Sequence, residues 1–217
     1  TQHITKEGIQ ESERFNQKFS HLPIQAVRDE NGKWRKISIN LPSRTLFAKI
    51  WRCDIGAVPL YLLDTDIDDN NEQDRQITSQ LYGGDNENRL KQEILLGIGG
   101  VRLLEELNIK PTLFHSNEGH SAFSSMERLN NYINKENMSY AQAIELVRSS
   151  TLFTTHTPVP AGHDSFSEEM MRIYFSAYSQ NLALDWEHFM LLGRKSNDNP
   201  EDKFSMSVLA INCSANV

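Results

Sequence analysis

The chain has 217 residues, 38% of them hydrophobic, enough for one domain with a sizeable core, and its composition shows no clear seam. A formal net charge of -7 argues against an extended nucleic-acid surface, which needs clustered Lys and Arg. No apolar run approaches the roughly 20 residues of a membrane span, and no basic-then-apolar secretory pattern opens the sequence.

Mean hydropathy of -0.53 indicates a well-solvated surface. Cys53 and Cys213 are too few to imply a disulfide framework and lack neighbours at metal-ligand spacing, so reduced thiols in a cytoplasmic protein are expected. The chain starts at Thr1 and stops inside the apolar-periodic stretch Met206, Leu209, Ala210, Cys213, with no stop signal after it. That pattern is expected of an excerpt.

Residues 1–31 are polar, with a weak helical pattern around Ile9–Phe19. Three extended runs follow, Lys36–Leu41, Thr45–Cys53 and Val58–Leu63, separated by Pro42-Ser43 and Ile55-Gly56-Ala57, which predicts a β-meander. The acidic run from Asp64 to Asp74 lacks the glycine and closing glutamate of an EF-hand and is expected to be a solvated loop. After Tyr82-Gly83-Gly84-Asp85-Asn86, the spacing of Leu90, Ile94, Ile98, Val101 and Leu104 predicts a long helix. Gly97, Gly99 and Gly100 lie within it; each costs about 1 kcal/mol relative to alanine, so close packing against another element is expected there.

Downstream, buried strands are expected at Thr112–His115 and Thr151–Thr155, with helices at Ser121–Ile133, Tyr140–Ser149, Ser167–Gln180 and Trp186–Leu192. This rhythm predicts an α/β fold with a parallel sheet and flanking helices, added to the meander. In an open parallel sheet, ligands bind beyond the carboxyl ends of the strands. Two polar clusters sit at such ends: His115-Ser116-Asn117-Glu118-Gly119-His120, and Thr155-His156-Thr157 continuing to Gly162-His163-Asp164. Structural alternatives stand beside each: Asn117 as a cap of the helix starting near His120, Asp85 or Asn86 as a cap of the helix starting near Glu87, and His156 as a hydrogen-bonded structural histidine. The four histidines between 115 and 163 lack the same-face spacing of a helical zinc pair, and no metal is expected.

Taken in order, Tyr82–Asn86, Arg89-Leu90-Lys91-Gln92-Glu93, Asn117–Phe123 and Thr155–Asp164 resemble the α-glucan (glycogen/maltodextrin) phosphorylases, the shorter bacterial and archaeal branch most closely. The resemblance runs through nearly the whole chain. It implies that residues 1–217 form part of the N-terminal half of a GT-B fold, two Rossmann-like domains with the active site between them. Such enzymes cleave a terminal α-1,4-glucosyl bond with phosphate, releasing glucose 1-phosphate with retention. Their pyridoxal phosphate is held by a lysine of the C-terminal domain, and its phosphate relays a proton to the substrate phosphate.

By motif, His156 is implied as the catalytic histidine of the glucosyl site, binding the sugar's 6-hydroxyl while its backbone carbonyl faces the developing positive charge. Asp85 and Asn86 resemble the mobile loop that reaches the glucose and gates its entry. Glu118 stands where the glycogen-type enzymes carry an aspartate, and Asn117 and His120 line the same pocket. The partners implied are α-1,4-glucan and phosphate, with a homo-oligomer allowed and neither nucleic acid nor membrane expected. The family's glycine-rich phosphate loop, cofactor-lysine region and C-terminal basic residues have no counterpart here, so this stretch alone is expected to be inactive. A non-catalytic glucan-binding module and a glycogen-synthase-like GT-B transferase are the alternatives; the Arg89–Glu93 and Thr155–Asp164 segments fit phosphorylases better than the latter.

Overall fold

The computed structural model describes residues 2–12, 22–80, 84–158, 163–196 and 202–216. Near the N-terminus, β1 (Gln2–Ile4) pairs antiparallel with β2 (Gln10–Ser12). The helical pattern expected around Ile9–Phe19 is therefore corrected at Gln10–Ser12, where pairing with β1 overrides a weak local preference; residues 13–21 lie outside the described residues.

The meander forms as the sequence implies. β3 (Gln25–Ala26) and β4 (Lys36–Leu41) lie along one edge of the long β5 (Arg44–Ile55), and β6 (Val58–Asp64) along the other, all antiparallel. Alternation along β4 buries Ile37, Ile39 and Leu41, and along β5 buries Leu46, Ala48 and Ile50.

The acidic run does more than solvate a loop. β6 leaves β5 at the Lys49–Asp64 pair, so the Phe47 backbone needs another partner. Asn70 supplies it, accepting from Phe47 N at 2.9 Å and donating to Phe47 O at 2.7 Å and Thr65 O at 2.8 Å. Beside it the short helix α1 (Glu72–Arg75) carries Asp74, gripped by both Arg44 Nε (2.6 Å) and Nη2 (2.9 Å). Burial opposes ionisation of Asp74, but the Arg44 hydrogen bonds outweigh it and hold the carboxyl below its ordinary range. Backbone groups closed off from water need such partners, which is why this polar segment folds inward.

Helix α2 (Asn86–Glu106) packs across the meander and against α3 (Phe123–Asn134). Its three glycines are not equivalent. A Cβ on Gly99 would sit 3.0 Å from Ile37 and 3.1 Å from Leu63, and one on Gly97 would sit 2.8 Å from Phe123 Cβ and from the Ser124 amide. Gly100 faces open space, so the close packing expected there is not found. Ala at position 100 should add up to about 1 kcal/mol of stability from helix propensity alone. At position 97 the same gain meets backbone that cannot yield, and Gly97→Ala should lose about 1–3 kcal/mol net. Denaturant unfolding of the two variants gives opposite signs if α2 and α3 touch as described; equal shifts would contradict that contact.

The parallel part is small. β7 (Phe114–Asn117) pairs with β8 (Thr151–Thr154), linked through α3 and α4 (Tyr140–Ser149). The strand expected at Thr112–His115 is thus displaced two residues onward: the ladder begins where Phe114 N reaches Ser150 O, and Leu113 remains exposed. On the other side of β8, Asn216 adds a parallel bridge, its carbonyl accepting from Phe153 N at 3.0 Å.

Beyond β8 come β9 (Ser165–Phe166), α5 (Glu168–Asn181), α6 (Trp186–Leu191), β10 (Phe204–Ser205) and α7 (Met206–Asn212), with β9 and β10 antiparallel. Their apolar faces meet α3 in an aromatic core of fully buried Phe123, Phe175, Phe189 and Phe204. The apolar period near the end of the chain is α7, which closes at Asn212 before Val217. Cys53 and Cys213 are free thiols; burial pushes the Cys213 thiol up to about 12. No helix among the described residues is long and apolar enough to cross a membrane.

Candidate functional site

Because β7 and β8 are parallel and Asn117 is in register with Thr154, the two chains leave the sheet side by side at the same end. The ladder continues one step past the strands, with Glu118 N donating to Thr154 O at 2.8 Å. Glu118 then adopts φ 62° and ψ 173°, a left-handed conformation uncommon and unfavourable for a residue with a side chain. A conformation of this kind survives only where its surroundings over-determine it.

Three donors do so. The buried Glu118 carboxylate accepts from His156 N at 2.7 Å, Thr155 Oγ1 at 3.0 Å and Thr157 Oγ1 at 3.0 Å. The His156 amide foremost, with the two hydroxyls, holds the carboxyl below its ordinary range against the effect of burial. The carboxylate thereby fixes the backbone of residues 155–157 from the neighbouring strand end. Asn117 does not cap the following 3₁₀ turn (Gly119–Ser121); its Oδ1 lies 2.8 Å from His156 Nε2. With that oxygen as acceptor, Nε2 carries the proton and Nδ1 is left as an acceptor. The His156 ring itself is exposed.

His120 lies one turn further on, in a second cluster. Its Nδ1 is 2.7 Å from Arg89 Nη2, 3.0 Å from Asp164 Oδ2 and 3.4 Å from Glu93 Oε1. Arg89 Nη2 also reaches Asp164 Oδ2 at 2.8 Å and Glu93 Oε1 at 3.1 Å. Burial, then the neighbouring Asp164, pushes Glu93 up to about 8, with His120 and Arg89 opposing. The hydrogen bond to Glu93 raises His120 despite its burial. Asp164 stays low because Arg89 and the Glu93 hydrogen bond outweigh burial. Among the described residues, Glu93, His120 and Asp164 form the group whose metal-ligating atoms approach within 4.8 Å of one another, but the Arg89 guanidinium already supplies positive charge there. His115 pairs instead with Thr154 Oγ1 at 2.9 Å.

Asp85 and Asn86 open α2. The Asp85 side chain caps it, accepting from Asn88 N at 2.8 Å, and Asn86 is its exposed first residue. Gly84 before them has φ +82°, and a Cβ there would lie 2.9 Å from Asn88 Cβ, so the turn into the helix requires glycine. Among the described residues no hydrogen bond joins Asp85 or Asn86 to Asn117, Glu118 or His156. Residues 81–83 of the glycine-rich loop and 159–162 of the second loop lie outside the described residues.

Sequence reasoning assigned no role to Arg89, Glu93, Asp164, Thr155 or Thr157, although Arg89 and Glu93 stand four apart on a helix, where a pair is expected. Nor did it give one to His163 and Ser207. The Thr157 carbonyl can only accept, so His163 Nε2 donates to it (2.9 Å) and Nδ1 accepts from Ser207 Oγ (2.8 Å). A separate cavity of about 630 Å³ runs along α2, walled by Leu62, Leu96, Val101 and Leu104 and reaching Glu93 and His120; Asn117, Glu118 and His156 do not line it.

No family model matches the chain. Curated relatives do. The maltodextrin phosphorylase of Thermococcus litoralis is 39% identical over 216 residues, all of this chain and 25% of that protein. The glycogen phosphorylase of Mycobacterium tuberculosis is 42% identical over 179 residues, covering 80% of this chain and 21% of the relative. That of Aquifex aeolicus is 31% identical over 210 residues, or 97% and 30% respectively. By sequence, then, the chain belongs with the maltodextrin and glycogen phosphorylases and spans between 21 and 30% of the length of these relatives.

Proposed function

We propose that this chain is the sugar-recognising part of the N-terminal GT-B domain of a glucan phosphorylase, which cleaves terminal α-1,4-glucosyl bonds of glycogen or maltodextrin with phosphate. The observation that carries the reading is the grip of Glu118 and Asn117 on His156 at the carboxyl ends of two parallel strands. A histidine whose amide and Nε2–H are held by Glu118 and Asn117 offers a neutral polyhydroxylated ligand two acceptors in set places, Nδ1 and its own carbonyl. Its carbonyl is a fixed dipole that favours positive charge developing at a sugar carbon.

The residues gathered here do not fit pyridoxal phosphate. Asn117, Glu118, His156 and their hydroxyl neighbours include no lysine to hold an aldehyde, and Lys91 of α2 pairs with Glu87 at 3.1 Å. The cofactor and the phosphate substrate would be held by residues beyond this chain, which alone is inactive in this reading. The test is release of glucose 1-phosphate from maltodextrin plus phosphate by the intact protein, with and without pyridoxal phosphate. Cofactor-dependent release is expected, and its absence from the cofactor-loaded protein would remove the reading. Were residues 1–217 to bind maltodextrin as tightly as the intact protein, a binding module would describe them better.

A further inference from the structure

The candidate site residues sit on three separate segments: the start of α2, the turn after β7 and the loop after β8. The Glu118 carboxylate ties the second to the beginning of the third. Gly97 packs α2 on α3 and α7 backs the end of the loop, but the first turns of α2 still need a side chain that joins them to both other segments. We infer that Arg89 is this positioning residue, its guanidinium pinning the first turns of α2 to His120 and Asp164; the inference rests on the phosphorylase reading given above.

The placement carries the argument. The Arg89 amide donates to Asp85 O at 3.0 Å, closing the turn that Asp85 caps. Its side chain then leaves α2 and meets His120, two residues beyond Glu118, and Asp164, which ends the loop begun at Thr155. One nitrogen, Nη2, thus contacts a group from each loop and Glu93 from its own helix, whose side chain is 1% exposed. Without that guanidinium, the buried Glu93 carboxyl and Asp164 lose the cation they share, and the α2 side of the cluster is no longer tied through it to the end of the loop. A lysine ammonium could balance the charge but lacks the planar fork that reaches several acceptors at once. The loop held at its start by Glu118 and at its end by Arg89 carries His156, so the spacing between Asn86 and His156 depends on Arg89.

The test uses the intact protein with Arg89→Ala, Arg89→Lys, Asp164→Ala and the Arg89→Ala/Asp164→Ala double variant. Backbone hydrogen exchange should show protection lost together at 86–93, 118–122 and 163–166 in Arg89→Ala, with partial retention in Arg89→Lys. kcat/KM for maltodextrin should fall about 100-fold in Arg89→Ala, as expected for a small misplacement of a reacting group, and the double variant should be no worse than the poorer single. Loss of protection confined to α2, or kcat/KM within about twofold of the parent, or additive single effects, would each overturn the inference. If Arg89→Ala does not fold, Arg89→Lys and Asp164→Asn answer the same question. If the unaltered protein shows no phosphorolysis, the functional reading falls, and the exchange pattern alone still decides the role of Arg89.

Discussion

Replacing His156 with alanine in the intact protein should lower kcat for phosphorolysis by about 10²–10³-fold while leaving the melting temperature nearly unchanged. The two halves of that expectation come from different features. The ring is exposed, and its recorded hydrogen bond is to Asn117 Oδ1, so its loss removes little from the fold; such surface changes usually stay within about 0.5 kcal/mol. In the proposed role the ring instead places a hydrogen bond on the substrate in a site set up beforehand, and removing one such group costs orders of magnitude in rate. Steady-state kinetics with a parallel thermal melt separates the two. An unchanged kcat would withdraw His156 from the catalytic assignment, whatever the melt shows.

Glu118→Ala should do something different, lowering kcat/KM by about 100-fold and weakening the fold as well. The carboxylate is the acceptor for the His156 amide and for the hydroxyls of Thr155 and Thr157. Alanine keeps the costly left-handed backbone at 118 and removes the acceptors that compensate for it. The amide of His156 is left without its partner, and the loop shifts; a displacement near 1 Å is enough for a loss of that size. Glu118→Gln should fall between alanine and the native residue, because one oxygen remains while an amino group now faces donors. Equal activity of the alanine and native proteins would mean that His156 is positioned by some other group.

The two variants also mark what the sequence could and could not convey. The meander was readable because its period-two burial is local and each strand carries its own pattern, as Ile37, Ile39 and Leu41 do. The α2 helix was readable for the same reason at a longer period. Local patterns did not reveal where β7 begins, since that is set by a partner strand more than thirty residues away in sequence, at Ser150 and Thr151. Nor did they show that Asp74 and Asn70 turn inward, because the need they meet arises where β6 parts from β5. At the site, the residue types and their order carried Asn117, Glu118 and His156, and the structure brings those three together. It leaves Asp85 as a helix cap, which its position before α2 already allowed. The left-handed backbone of Glu118 left no trace in composition, and neither did the meeting of His163 with Ser207.

That last contact bears on the order in which the molecule can assemble. Met206 N donates to Asp164 O at 3.0 Å, Ser207 meets His163, Gly119 lies hard against Met206 and Ser207, and Asn216 joins β8. All the residues proposed to touch sugar leave the ribosome before this closing segment exists. Until Phe204 enters the aromatic core and α7 settles, the loop after β8 lacks its backing. In vectorial synthesis, the loop after β8 is therefore backed only by residues made some forty positions later, as Ser207 is to His163.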